Sequence, residues 1–117
     1  MNVSKIQFVA ENVSKESYLP DQEKIVHGEP AQNLWNNYSS KDEKFHVGIW
    51  DSKAGRWSVS YSEHEFCHIL EGSSIIIDES GNELKVNKGD QFVVPAGFNG
   101  EWQVDDYCKK IYVIYEA

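Results

Sequence analysis

The sequence predicts an all-β domain, folded as a small antiparallel β-barrel or jelly roll. Three observations predict it. Short runs rich in β-branched and aromatic residues recur along the chain, turn signals separate them about every ten residues, and no segment sustains a helical period of apolar residues. Closing such strands into a barrel also removes the exposed edges that an open sheet would carry.

Residues 1–40 are weakly patterned and read as an N-terminal arm with short strands, packed on the barrel or on a second subunit. Ile6, Phe8 and Ala10 alternate with Lys5, Gln7 and Val9, which suggests one short strand. Tyr18-Leu19-Pro20-Asp21 is a turn signal, and Ile25-Val26-His27 is a second short strand closed by Gly28-Glu29-Pro30. Asn33, Asn36 and Asn37 favour loop over Ala31 to Tyr38, with room for one helical turn.

Residues 41–117 read as the barrel. Phe45, Val47 and Ile49 alternate with His46, Gly48 and Trp50, and Ala54-Gly55 is expected to turn the chain. Trp57, Val59 and Tyr61 then alternate with Arg56, Ser58 and Ser60. Glu65 to Leu70 is the next strand, Glu71-Gly72 a turn, and Ser73 to Asp78 a further strand. Glu79-Ser80-Gly81-Asn82 is a hairpin loop leading to Glu83–Val86, Lys88-Gly89-Asp90 turns, and Gln91–Val94 runs into Pro95-Ala96-Gly97. Glu101–Val104, a turn at Asp105-Asp106, and Lys109–Tyr115 complete the pattern.

The 117 residues suffice for one modest core, and the apolar share of 40% is that of a folded chain. Eleven basic against nineteen acidic residues leave a formal charge of −8, and Lys109-Lys110 is the only basic pair. Binding to nucleic acid or to an anionic membrane requires clustered cations, because counterion release supplies most of that affinity; neither partner is expected. No apolar run approaches the ~20 residues of a membrane helix. The start of the chain lacks the pattern of a signal peptide. Two cysteines, Cys67 and Cys108, are too few for a disulfide scaffold, so the expectation is a cytoplasmic protein with reduced thiols.

Glu65 and Gly72, separated by six residues, and Gly89 followed after five residues by Pro95-Ala96-Gly97, resemble the paired motifs of the cupin superfamily. Gly97-x-x-Gly100-x-Trp102 followed by Lys110-x-Tyr112 resembles the small-cupin group related to the cupin domains of ureidoglycine aminohydrolase. The resemblance covers about Phe45 to Tyr115. It implies a jelly-roll barrel with a pocket inside, a homodimer sharing an edge strand or arm, and a motif glutamate pointing inward. Metal-binding cupins carry a His-x-His pair ahead of that glutamate and a further His in the second motif. Those positions fall here on Val59, Tyr61 and Gly100. Three of the four usual ligands are missing, no metal site is assigned, and the aminohydrolase activity is not carried over.

Alternation along a strand splits Glu63 to Gly72 into two faces. Glu63, Glu65, Cys67 and Ile69 share the inward face with Trp57, Val59 and Tyr61, whereas His64, Phe66 and His68 point outward. The two histidines then stand about 13 Å apart, too far to share an ion. From the opposite sheet Phe92 or Val94, Phe98 and Trp102 should close the lumen. The expected site is an aromatic-walled pocket for a small polar molecule, with Glu65, Tyr61 and Lys110 as its catalytic candidates. Trp57, Cys67, Phe92, Phe98, Trp102 and Tyr112 are the candidate ligand contacts. The residues name no cofactor; a weakly held divalent metal on Glu65 belongs to the alternative in which the protein is an enzyme acting on a small nitrogenous or carbohydrate-type metabolite.

Each candidate also has a structural reading. Glu65 is either an acid/base raised by desolvation or a structural carboxylate held by Tyr61 or backbone amides. Lys110 either brings a positive charge to the pocket or lies on the surface with its stem on Trp102. Glu63 reads as solvated and Cys67 as inert packing, its thiol raised by the neighbouring carboxylate. Glu65→Gln is expected to abolish binding with thermal stability nearly unchanged.

Overall fold

The computed structural model describes all residues, Met1 to Ala117. Eight strands form an antiparallel jelly roll: β1 (Glu16–Tyr18), β2 (Ile25–Gly28), β3 (Gln32–Ser39), β4 (Phe45–Ser60), β5 (His64–Asp78), β6 (Glu83–Asn87), β7 (Gln91–Val94) and β8 (Asn99–Tyr115). The only helical pieces are two short 3-10 turns, Val3–Lys5 and Gln22–Lys24.

Three long strands build the barrel, because each bends at its middle and serves two sheets. The first half of β4 pairs with β3 and the second half with β2, while β8 runs beside β4 throughout. On the other side of β8, β5 pairs with β7 through its first half and with β6 through its second. The bends coincide with register shifts at Lys53/Gly55 on β4 and at Ile69/Glu71 and Gly72/Ile75 on β5. A bulge adds a residue to one strand and increases local twist, which turns a continuous strand from one sheet into the next.

The expected turns at Ala54-Gly55, Glu71-Gly72 and Asp105-Asp106 are therefore corners rather than reversals. Gly72 shows why its corner takes no side chain: its φ is +72°, and a Cβ there would run into the Tyr107 carbonyl oxygen. The true reversals fall where expected. Asp78 accepts from the backbone amides of Ser80 and Asn82 (both 2.9 Å) to close one, and Asp90 accepts from the Asn87 amide (2.7 Å) to close another.

Two expectations for the N-terminal region need correction. Ala31–Tyr38, read as loop, is mostly strand β3, in full register with β4 through Asn36. Its asparagines are tolerated because their amides are used: Asn33 donates to Asp51 (2.9 Å) and Asn36 accepts from Tyr112 (2.8 Å). Ile6–Ala10, read as a strand, is not one: it touches the body only at its end, where Ala10 and Asn37 exchange two hydrogen bonds. Residues 16–39 thus pack as strands on the barrel, and the first ten residues stand off it.

The core lies between the two sheets. Ile69, Val104, Cys67 and Cys108 are fully enclosed, and the Trp50 ring meets those of Trp57 and Trp102 at centroid distances of 6.0 and 6.2 Å. The inward set on β5, Glu65, Cys67 and Ile69, is the one that the alternation predicts.

Candidate functional site

The barrel encloses a cavity of about 540 Å3 between the two sheets. Trp50, Trp57, Trp102, Tyr112 and Leu34 form an apolar, largely aromatic part of its wall, Gln32, Ser58, Ser60 and Glu63 contribute polar groups, and its floor holds Glu65 and Lys110. Strand register places this pair. Glu65 lies opposite Ile114 of β8 and Ile69 opposite Lys110, so both side chains fall on the inner face of adjoining strands.

Glu65 and Lys110 form an ion pair at 3.2 Å, and each residue is 4–5% exposed. Tyr61 donates its hydroxyl to the other carboxylate oxygen of Glu65 at 2.8 Å. The Lys110 ammonium also sits over two indole rings, 4.3 Å from the Trp102 centroid and 4.7 Å from that of Trp50, which attract a cation through the ring quadrupole. A buried lysine persists only with partners of this kind. Burial is the largest single influence and lowers its pKa, but the Glu65 charge, the nearby Cys67 and the hydrogen bond to Glu65 together exceed it; the balance is raised, so the ammonium stays charged.

The surrounding hydroxyls and thiol remain protonated. Burial, reinforced by the Glu65 charge, holds Tyr61 well above the usual phenol range, and burial pushes Tyr112 up to about 12. Cys67 is pushed up to about 12 by burial, against the opposing pull of Lys110. Since the thiolate is the nucleophile, Cys67 is inert packing in this setting. Glu63 lines the cavity rather than being merely solvated; burial and then the charges of Glu116 and Glu65 raise its carboxyl.

Six of the nine residues singled out from sequence meet at this cavity: Glu65, Tyr61, Lys110, Trp57, Trp102 and Tyr112. The other three lie behind its wall. Cys67 is completely enclosed, Phe92 packs against Trp102 (6.3 Å) and Phe98 packs edge-on against Tyr61 (6.2 Å). Strand alternation gives the inward side correctly for Cys67 and Phe92, while Phe98 lies in the connection between β7 and β8; depth behind the wall depends on neighbours from other strands.

Sequence reasoning missed Trp50, Gln32, Leu34 and Tyr18. Gln32 accepts from the Trp50 indole (3.1 Å), which fixes that ring beside Lys110. Gln32, Leu34 and Tyr18 reach the cavity from β3 and β1, the region read as loop and arm. The alternation of Phe45, Val47 and Ile49 with His46, Gly48 and Trp50 does not by itself say which set faces inward.

The outward histidines stay outward. His64 stacks on Tyr115 and accepts from the Ala96 amide (3.2 Å). No group of three or more His, Cys, Asp or Glu side chains comes together as metal ligands. Of the motif positions, Val59 and Tyr61 line this cavity, whereas Gly100, paired with Val59 and Asp78, lines the neighbouring depression. Both Glu65 oxygens are engaged by Tyr61 and Lys110. The donor set does not fit the metal centre of metal-binding cupins; a lysine ammonium is the cation facing the motif glutamate.

A second depression of about 610 Å3 lies over the outer part of β4 and β8. It is polar, and its Arg56 is taken up by Glu101 (2.6 Å). No buried titratable group faces it, so the chemistry resides in the first cavity.

Residues 39–112 match the family model of the EutQ-like cupin domain. A DUF861-family protein of unknown function from Pseudomonas syringae pv. tomato DC3000 is 25% identical with a TM-score of 0.78, over 88% of this chain and 45% of that longer one. The chain thus spans just under half of that protein's length. EutQ of Clostridium difficile is 19% identical (TM-score 0.67; 86% of this chain, 81% of that one). Ethanolamine utilization protein Q of Salmonella typhimurium LT2 is 18% identical (TM-score 0.68; 89% and 95%). No curated protein sequence matches the chain. No helix is long and apolar enough to cross a membrane. The match is to the EutQ-like family rather than to the ureidoglycine aminohydrolase group suggested by the motif spacing; the chain belongs to the cupin superfamily, in its EutQ-like cupin domain family.

Proposed function

We propose that the protein binds a small polar organic molecule in the 540 Å3 cavity, with a ligand oxygen accepting from Lys110 and the indoles of Trp57 and Trp102 forming the walls. The observation that carries this reading is the ion pair of Glu65 and Lys110 at the floor of an open aromatic cavity. A buried ion pair is on average no more stabilising than apolar residues of the same volume, so recognition accounts for it better than stability does. The reading requires no metal, since the ammonium supplies a fixed positive charge.

The test is a thermal-shift screen of small carboxylates, sugars and ureides against the wild type and against Glu65→Gln/Lys110→Met, which removes both charges together. Compounds from these classes should raise the melting temperature of the wild type and lose that effect in the double variant. Equal shifts in both proteins, or none in either, refute the reading.

A second reading is supported by the continuity of the polar groups. Tyr61, Glu65 and Lys110 form one unbroken chain of hydrogen bonds, which suits proton transfer to and from a bound substrate. In that case Glu65 is the acid/base and the phenol and ammonium stabilise charge on a nitrogenous or carbohydrate-type substrate, the class suggested by the motif resemblance. Incubation of the best binder with the protein, followed by mass spectrometry, separates the two: binding without turnover counts against the enzyme.

A further inference from the structure

Donors and acceptors are unevenly matched in the aromatic cavity. Its buried side-chain acceptors are already served. One oxygen of Glu65 accepts from Tyr61 (2.8 Å), the other faces Lys110 (3.2 Å), and Gln32 Oε1 accepts from the Trp50 indole (3.1 Å). Tyr112 turns its hydroxyl away to Asn36 (2.8 Å). Two buried donors, by contrast, have no acceptor: Gln32 Nε2 and Trp102 Nε1. Both residues line the cavity, and they are 5% and 2% exposed.

The orientation of the Gln32 amide follows from its neighbour. With the amide reversed, its NH2 would face the Trp50 N–H, donor against donor. Trp50 also ties Gln32 to the floor of the site, because its N–H goes to Gln32 while its ring carries the Lys110 ammonium 4.7 Å from the centroid. That ammonium has three N–H groups and Glu65 as its ionic partner. A buried donor without an acceptor bears the desolvation cost of that group, and native structures hold few of them. Here two occur in the wall of one cavity, beside its buried cation.

Charge limits what those donors serve. Lys110 is the only buried cation, and Glu65 neutralises it. Farther out along the wall Lys24 pairs with Asp21 (3.9 Å) and Glu63 adds a carboxylate, in a chain of net charge −8. An entering anion meets like charge that nothing offsets. A neutral carbonyl oxygen does not, and its two lone pairs suit one charged and one neutral donor.

We propose, building on the small-molecule reading above, that the cavity selects a neutral carboxamide over a carboxylate. The carbonyl oxygen accepts from Lys110 and from Gln32 Nε2, the amide N–H donates to a free lone pair of Glu65, and an apolar body lies against the indoles. Gln32 is the specificity-determining residue, since it supplies a donor without a charge.

Isothermal titration calorimetry with benzamide, benzoate and toluene tests this, because the three share one ring and differ in the head group. Benzamide should bind wild type roughly tenfold or more tighter than either of the others, the difference expected of one or two hydrogen bonds. Gln32→Met, which keeps the volume and removes the donor, should lose most of that preference. Gln32→Glu keeps an oxygen for Trp50 and also lacks the donor, so it should behave alike; the melting temperature of each variant checks its fold. Benzoate or toluene binding as well as benzamide, or a benzamide preference unchanged in both folded variants, overturns the inference and leaves the small-molecule reading standing. Binding of none of the three overturns the inference, and the screen with the double variant then judges the small-molecule reading separately.

Discussion

Substituting Glu65 tests the architecture of the site most directly, and the structure reverses the expected result. From sequence, Glu65→Gln should leave stability nearly unchanged. In the structure it strands Lys110, 4% exposed, without its counter-ion. Removing one member of a buried pair costs about 3–5 kcal/mol. Glutamine keeps an acceptor oxygen within reach of the ammonium, and the cation retains the faces of Trp50 and Trp102, so the expected cost is about 2–4 kcal/mol. Lys110→Met, which leaves the carboxylate with Tyr61 alone, should cost the full ~3–5 kcal/mol. The double variant should return to within ~1 kcal/mol of wild type, giving a coupling of roughly 4 kcal/mol or more. Urea denaturation at neutral pH measures all four proteins, provided the slope m is the same for each. A cost below ~1 kcal/mol for Glu65→Gln, with additive effects in the double variant, would falsify the buried-pair account.

Alkaline pH should unfold the protein for a definable reason. Lys110, Tyr61, Tyr112 and Cys67 all have raised folded-state pKa values, so each stabilises the fold below its unfolded value and loses that contribution as pH rises toward the folded one. Stability should therefore fall between the unfolded values of ~8.5–10.4 and about 12, by ~1.4 kcal/mol per pH unit for each group titrating only in the unfolded chain; a flat profile from pH 9 to 11 contradicts the burial of these groups. Gly48→Ala should destabilise by ~1–3 kcal/mol, because the new Cβ would meet the Tyr112 hydroxyl and the Trp35 carbonyl; a neutral effect in thermal melts shows that Tyr112 can move aside. Cys67 and Cys108, both fully enclosed, should resist an aromatic disulfide reagent in the native state and react at once in denaturant; fast native labelling shows that the cavity wall opens.

Much of the site was legible because strand alternation is local. Counting from Glu65 in steps of two assigns Tyr61, Cys67 and Ile69 to the interior without any knowledge of partners, and the same count places Lys110 and Tyr112 together. The count cannot cross a bulge, and it cannot say which inward residues form the wall and which lie behind it. Phe92 was misassigned for that reason, Phe98 because it lies in the connection between β7 and β8, and Trp50 was missed because a correct phase needs its pairing with Lys110 across β8.

Glycine and aspartate at Ala54-Gly55, Glu71-Gly72 and Asp105-Asp106 marked where the backbone departs from a straight strand. They did not mark the angle, since a corner and a reversal use the same residues and differ only in which strand lies alongside afterwards. Likewise the asparagines of β3 lowered its local strand propensity, and tertiary hydrogen bonds to Asp51 and Tyr112 offset that preference.

By itself the sequence determined the all-β class, the sites where the backbone departs from a straight strand and the side chains that share a face with Glu65, all properties of residue type and period-two spacing; the inward placement of Glu65 was what the motif resemblance implied. Tertiary structure alone decided that Lys110 meets Glu65, that β1 and β3 contribute to the cavity, and that Ile6–Ala10 is bonded to the body only through Ala10 and Asn37. Those are contacts between strands far apart in the sequence, and their energies come from burial and pairing that no local pattern encodes.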